Sequence, residues 1–128
     1  AVFALWNGST VHTMDRFDAA AALDTIAREG IGWALMVPTM MHRIMALPEA
    51  DRPAARFAAW KQVVHTAAPM ARWLKQAWID WLGPDHIWEV YGATEGLVRC
   101  WIGGREWLER PGSVGRRTEE TTEVSRVW

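Results

Sequence analysis

A single cysteine, Cys100, leaves no internal disulfide to draw, which excludes a stapled secreted scaffold and suits a reducing compartment. No apolar run approaches the roughly 20 residues needed to cross a bilayer. The opening "AVFALW" is too short for a signal peptide and lacks its basic flank. Charge of one sign is also lacking: the formal net charge is −1, so nothing argues for a polyanion or an acidic membrane surface as partner. "RPAAR" and "GRR" are too small to be nucleic-acid patches. A Gly-x-Gly-x-x-Gly turn is missing as well, which counts against a dinucleotide-binding oxidoreductase. The expectation is a soluble, cytoplasmic protein. The chain starts on Ala1, already inside an apolar segment, and reads as one whose upstream sequence is missing.

Tryptophan is abundant instead, with ten in 128 residues, and most are expected half-buried on helix faces. A chain of this length buries roughly two-thirds of its unfolded surface, enough for an ordinary core. The pattern along it alternates. "STVHTM" (9–14) reads as a short strand. Asp18 is placed to cap a helix carrying Leu23, Ile26 and Ala27 on one face, with Gly30 just past its end. Asp24 and Arg28 stand one turn apart on the wet side. "WALMV" (33–37) is a continuous apolar run, the pattern of a strand covered on both faces. Pro38 suits the first position of the next helix, with Met41, Ile44 and Met45 at helical spacing.

A charged, proline-containing connection (47–56) leads to "QVVHTAA" (62–68), a third strand closed by Pro69. Leu74, Ala77, Trp78 and Trp81 mark a further helix ended by Gly83-Pro84, and "HIWEVY" (86–91) a fourth strand. "LVRCWIGG" is a candidate for one more strand, "RPGSVGR" (110–116) is a glycine-rich turn, and the last twelve residues look like a solvated tail. The expected fold class is α/β: alternating β-α units around a mainly parallel sheet.

Ligands of open parallel sheets sit beyond the carboxyl ends of the strands. Three unusual junctions fall on that edge: Val37-Pro38-Thr39, Ala67-Ala68-Pro69 and Tyr91-Gly92. Helices starting at Pro38 and Pro69 would turn their positive ends towards it, favouring an anion. Tyr91 offers an aromatic face to a planar ring, Gly92 allows close backbone approach, and Ala67 and Ala68 leave room opposite. Thr94 supplies a hydroxyl for a phosphate oxygen, and Glu95 is a hard ligand of the kind Mg²⁺ takes beside a nucleotide. Taken alone, "VYGATEG" (90–96) reads first as a decorated tight turn, and the convergence of strand ends is what weighs against that. His12, His42, His65 and His86 lack ligand spacing, and Cys100 has no visible polarising partner. Met36, Met40, Met41 and Met45 read as core, with Met40 near a strand end.

The segment "YGATEG", followed by "WIGGREWLERPGSVGR" and preceded by "RFDAAAAL", "VPTMMHRI" and "HTAAPM", resembles the adenylate-forming acyl-CoA synthetase superfamily over about residues 1–116. Its "EWL…PGSVGR" continuation is most similar to ligases for fatty, aromatic or steroid-type acids. The resemblance implies the central part of an AMP-binding adenylation domain at 1–116 and a divergent, disordered tail at 117–128. It implies activation of a carboxylic acid by ATP to an acyl-adenylate, then transfer to coenzyme A. By the same resemblance, Ala67, Ala68 and Pro69 line the adenine and acyl pockets. Glu89, Val90, Tyr91, Gly92, Ala93 and Thr94 wrap the adenine and the α-phosphate, Thr94 and Glu95 serve catalysis, and Glu95 holds Mg²⁺. The family's lysine-bearing phosphate loop, ribose-binding aspartate, hinge and mobile C-terminal domain do not occur in these residues. An internal fragment, inactive alone and completed by the remainder of its own chain, is therefore expected. A non-catalytic remnant or interaction module of the same fold is the alternative. Exposed sheet edges make such a piece, taken alone, marginally stable or self-associating.

Overall fold

In the computed structural model, which describes residues 2–92 and 99–117, a five-stranded sheet carries helices along its chain order. The elements are α1 (Val2–Trp6), α2 (Ala19–Glu29), β1 (Trp33–Met36), α3 (Pro38–Met45), β2 (Gln62–His65), α4 (Arg72–Leu82), β3 (Ile87–Gly92), β4 (Arg99–Gly103), α5 (Gly104–Glu109) and β5 (Arg116–Arg117). The strands lie in the order β1-β2-β3-β4-β5. β1, β2 and β3 are parallel, while β4 and β5 return antiparallel. The α/β class is observed, with a mixed sheet.

Local chemistry sets most boundaries. Asp18 Oδ1 accepts a hydrogen bond from the Ala21 amide at 2.8 Å, capping α2. Gly30 ends that helix in the left-handed region at φ 62°, where a side chain would be disfavoured. Arg28 pairs with Asp24 at 2.8 Å, and Arg56 reaches the same carboxylate from the 47–60 connection at 2.7 Å. Both pairs are exposed and contribute little. Pro38 occupies the first turn of α3, and Gly83 caps α4.

The core lies where α3 and α4 meet β2 and the 3₁₀ turns of the 47–60 connection. Trp60 and Trp78 are fully buried and cross edge to face at 5.7 Å; Trp81 stands 4.9 Å from Trp78 and Phe57 5.4 Å from Trp81. Such pairs add about 0.5–1.5 kcal/mol each beyond area burial. The Trp81 indole donates to Arg52 O at 2.9 Å. The tryptophans therefore divide: Trp60, Trp78 and Trp107 are core, whereas Trp6, Trp33 and Trp73 are exposed.

Several expectations are corrected. Residues 9–14 form no strand: among the described residues no strand of the sheet pairs with them, and the Ser9 amide instead donates to Ala4 O at 2.9 Å. β1 is not covered on both faces: it is an edge strand, and Trp33 and Leu35 on one face are 49% and 55% exposed. α4 starts at Arg72, three residues after Pro69, with Ala71 as its N-cap. The 118–128 tail lies outside the described residues.

β4 and the following turn are held together at Gly115. Its φ is 89°, and a Cβ there would meet Trp101 O at 1.9 Å. Gly8 has a similar φ of 72° but nothing within 4 Å. Gly115→Ala should therefore cost about 2 kcal/mol or more, and Gly8→Ala about 1 kcal/mol, in urea unfolding. Equal midpoints for the two variants would contradict this close approach.

Candidate functional site

The carboxyl ends of β2 and β3 open into a pocket of about 290 Å³. Three chain segments form it. The loop after β2 supplies Thr66 to Met70, the end of β3 supplies Glu89 to Gly92, and the turn at 112–114 closes the third side. Trp107 of α5 and Arg72, the first residue of α4, complete the lining. Ala67, Ala68, Pro69, Glu89, Val90, Tyr91 and Gly92, singled out from sequence, are thus brought round one concavity. Ala93, Thr94 and Glu95 lie outside the described residues.

Parallel pairing explains the convergence. β2 and β3 align Val63 with Ile87 and His65 with Glu89, so both strands finish at the same level. Beyond that level the chain turns sharply. Ala67 sits at φ 73°, the only non-glycine at positive φ among the described residues. An alanine there costs roughly 1 kcal/mol or more, and backbone strain of this kind clusters at ligand sites. Tyr91 is 56% exposed at the rim, its ring open to a planar partner. The Arg72 guanidinium lies beside the turn at Gly112, giving the pocket a cation at its mouth.

Beneath the pocket Glu89 enters a buried ion pair whose lysine the sequence reading missed. Lys75 of α4 is 1% exposed, and its ammonium donates a short hydrogen bond to Glu89 Oε2. The same ammonium stands 5.1 Å over the Trp107 ring. Burial pulls the Lys75 pKa below its ordinary value, and the Glu89 carboxylate opposes that shift. His65 is fully buried, with Nε2 3.5 Å from Glu89 Oε2 and no hydrogen bond to either ring nitrogen among the described residues. Burial first, and the Lys75 charge second, push its pKa down to about 3. The imidazole is neutral in the folded protein at any ordinary pH.

A signal for Lys75 was available. It precedes Trp78 by three residues and Ile79 by four, on the face that both bury, while Glu89 interrupts the apolar strand "HIWEVY". Opposite charges embedded in two otherwise apolar elements point to a buried pair.

The arrangement defines a pocket at the carboxyl edge of parallel strands, with an aromatic at its rim, small residues in its wall and a fixed carboxylate at its base. Comparison with known proteins gives the family. Residues 1–125 match the family described as AMP-binding enzyme, and the chain belongs to it. A curated relative, 4-coumarate–CoA ligase 1 of Oryza sativa subsp. japonica, is 30% identical over 89 residues, 69% of this chain and 15% of that protein. Among solved structures, the inhibitor-bound N-terminal domain of FACL13 from Mycobacterium tuberculosis superposes with a TM-score of 0.74 at 22% identity, over 92% of this chain and 29% of that one. The o-succinylbenzoate coenzyme A synthetase of Bacillus subtilis, solved in complex with AMP, gives 0.71 at 20% identity, over 91% and 23%. These likenesses show the fold of the adenylate-forming enzymes' N-terminal domain. The chain spans about a sixth of the curated relative and under a third of each of these structures. Among the described residues, no helix is long and apolar enough to cross a membrane.

The neutral, buried His65 makes stability depend on pH. Unfolded, it binds a proton near its ordinary 6.5; folded, only near 3. Between those values the unfolded state holds the extra proton, so stability is full above pH 6.5 and falls as pH drops. The expected slope approaches about 1.4 kcal/mol per pH unit. Unfolding free energies measured from about pH 6.5 to 4.5 should flatten in His65→Met, and an unchanged slope would contradict the assignment.

Proposed function

We propose that this chain is the central part of the adenylation domain of an ATP-dependent acid–thiol ligase, and that the pocket between β2 and β3 takes the adenine nucleotide. In this reading the full-length protein joins a carboxylic acid to ATP, releases pyrophosphate, and passes the acyl group from the AMP-forming step to coenzyme A. Residues 1–116 belong to that domain, its location is cytoplasmic, and its acids are fatty, aromatic or steroid-like. The observation that carries the reading is the convergence of Ala67–Pro69 and Glu89–Gly92 on one pocket in a chain of the AMP-binding family.

The residues divide the work by their chemistry. The exposed Tyr91 ring stacks on the purine, and the small Ala67 and Ala68 side chains admit that ring. Thr94 donates to an α-phosphate oxygen. Glu95 suits Mg²⁺, which beside a nucleotide takes one or two carboxylates and completes its shell with phosphate oxygens and water. When bound, the metal offsets charge on the phosphates. Arg72, at the pocket mouth, adds a fixed positive charge facing the anionic ligand.

Interactions made mainly with the transition state act on kcat, whereas stacking similar in both states acts on KM. Glu95→Ala in the full-length protein should lower kcat for acyl-adenylate formation by about 10²-fold or more, the scale of losing one preorganised charge-stabilising group. Tyr91→Ala should mainly raise KM for ATP. The check is ATP–pyrophosphate exchange with a panel of carboxylic acids. A folded Glu95→Ala enzyme with normal kcat would end the nucleotide-site reading.

A further inference from the structure

Among the described residues Glu89 is the one acid lining the pocket, and its polar side-chain contacts with them all run through Oε2. That oxygen is held from below by Lys75, which does not itself line the pocket. Lys75 is held in turn: it projects from the middle of an apolar helix face, and the Trp107 ring, which walls the pocket, lies within cation–π range. His65, the register partner of Glu89 on β2, stands on the same oxygen and stays neutral, so it adds no competing charge. The carboxylate is therefore pinned by one cation and faces the cavity with only 14% of its side chain exposed.

We propose that Lys75 is a positioning residue for the bound nucleotide, acting entirely through Glu89. The inference rests on the adenine reading of the pocket above. A carboxylate accepts hydrogen bonds and donates none, so a pinned Glu89 presents a fixed acceptor to an N–H donor such as the exocyclic amine of adenine. Lys75 supplies two things to that acceptor. It fixes the direction of the carboxylate, and it neutralises a charge that would otherwise be buried alone. Without it, Glu89 swings towards solvent or towards Arg72 at the mouth, and the acceptor is lost from the base of the pocket.

The test uses the full-length protein, with AMP as probe in calorimetry and ATP–pyrophosphate exchange as the kinetic readout. Wild type, Lys75→Met, Glu89→Gln and the double variant are compared, and melting temperature is followed in each. Lys75→Met should weaken AMP binding by about tenfold, the effect of one well-placed buried hydrogen bond, and raise KM for ATP to match, with kcat changed far less. The double variant carries no buried charge at this place and keeps its fold if Lys75→Met alone does not. It should bind AMP no more weakly than Glu89→Gln does, because Lys75 has nothing left to position. Two outcomes would overturn the proposal. One is unaltered AMP affinity in folded Lys75→Met. The other is a double variant whose loss is the product of the two single losses. If the unmutated protein fails to bind AMP, the adenine reading falls and this proposal with it, an outcome visible before any variant is made.

Discussion

A lysine ammonium cannot stay charged inside a protein unless an anion meets it there. Lys75 is 1% exposed, and the carboxylate of Glu89 is the anion that meets it. Removing each ion from water costs several kcal/mol, so the pair adds less to stability than its short contact would suggest. It adds specification. Sliding β3 by one residue against β2 would turn Glu89 to the opposite face and leave Lys75 alone in the interior, as well as exposing Ile87. The register that places His65 beside Glu89 is the register in which the charges balance.

The pocket inherits its shape from that constraint. With β2 and β3 in step, the loop at 66–70 and the end of β3 emerge side by side, and α4 is drawn under them by Lys75. Trp107 joins from the other side, beneath the same ammonium, and brings α5 and the 112–114 turn against the opening. One buried cation thus ties together a strand, a helix and a second helix around the pocket proposed to take the nucleotide. Ala67, held at φ 73°, places backbone strain in the pocket wall itself.

Much of this was legible in the residues. Asp18, Gly30, Pro38 and Gly83-Pro84 punctuate helices by mechanisms that act within a few positions, and the helices begin and end there. Two of the three junctions singled out, Ala67-Ala68-Pro69 and Tyr91-Gly92, share the pocket wall because parallel strands end on one edge, whereas Val37-Pro38-Thr39 does not line it. What failed were features that depend on distant neighbours. "STVHTM" has strand-like composition, but a strand exists only if another chain segment pairs with it. "WALMV" has the composition of a covered strand, yet β1 occupies an edge and exposes Trp33 and Leu35. Pro69 has the type of a helix-opening residue, yet α4 starts at Arg72 behind an Ala71 N-cap. The reversal at β4 was deducible in hindsight: six residues separate Gly92 from Arg99, too few for the crossover that parallel strands need. Lys75 escaped because lysines are ordinarily solvated, and because its partner lies 14 residues away in a strand. Thr94 and Glu95 were singled out by type and spacing, and fall outside the described residues.

The proposed adenine site lies between the end of β3 and the loop after β2. Photolabelling the full-length protein with 8-azido-ATP, followed by trypsin digestion and mass mapping, addresses it directly. Cleavage after Lys75 and Arg99 releases residues 76–99 as one peptide carrying Tyr91. This peptide should take up the label, and excess AMP should prevent it. Label confined to other peptides, or label on 76–99 that AMP does not displace, would contradict it.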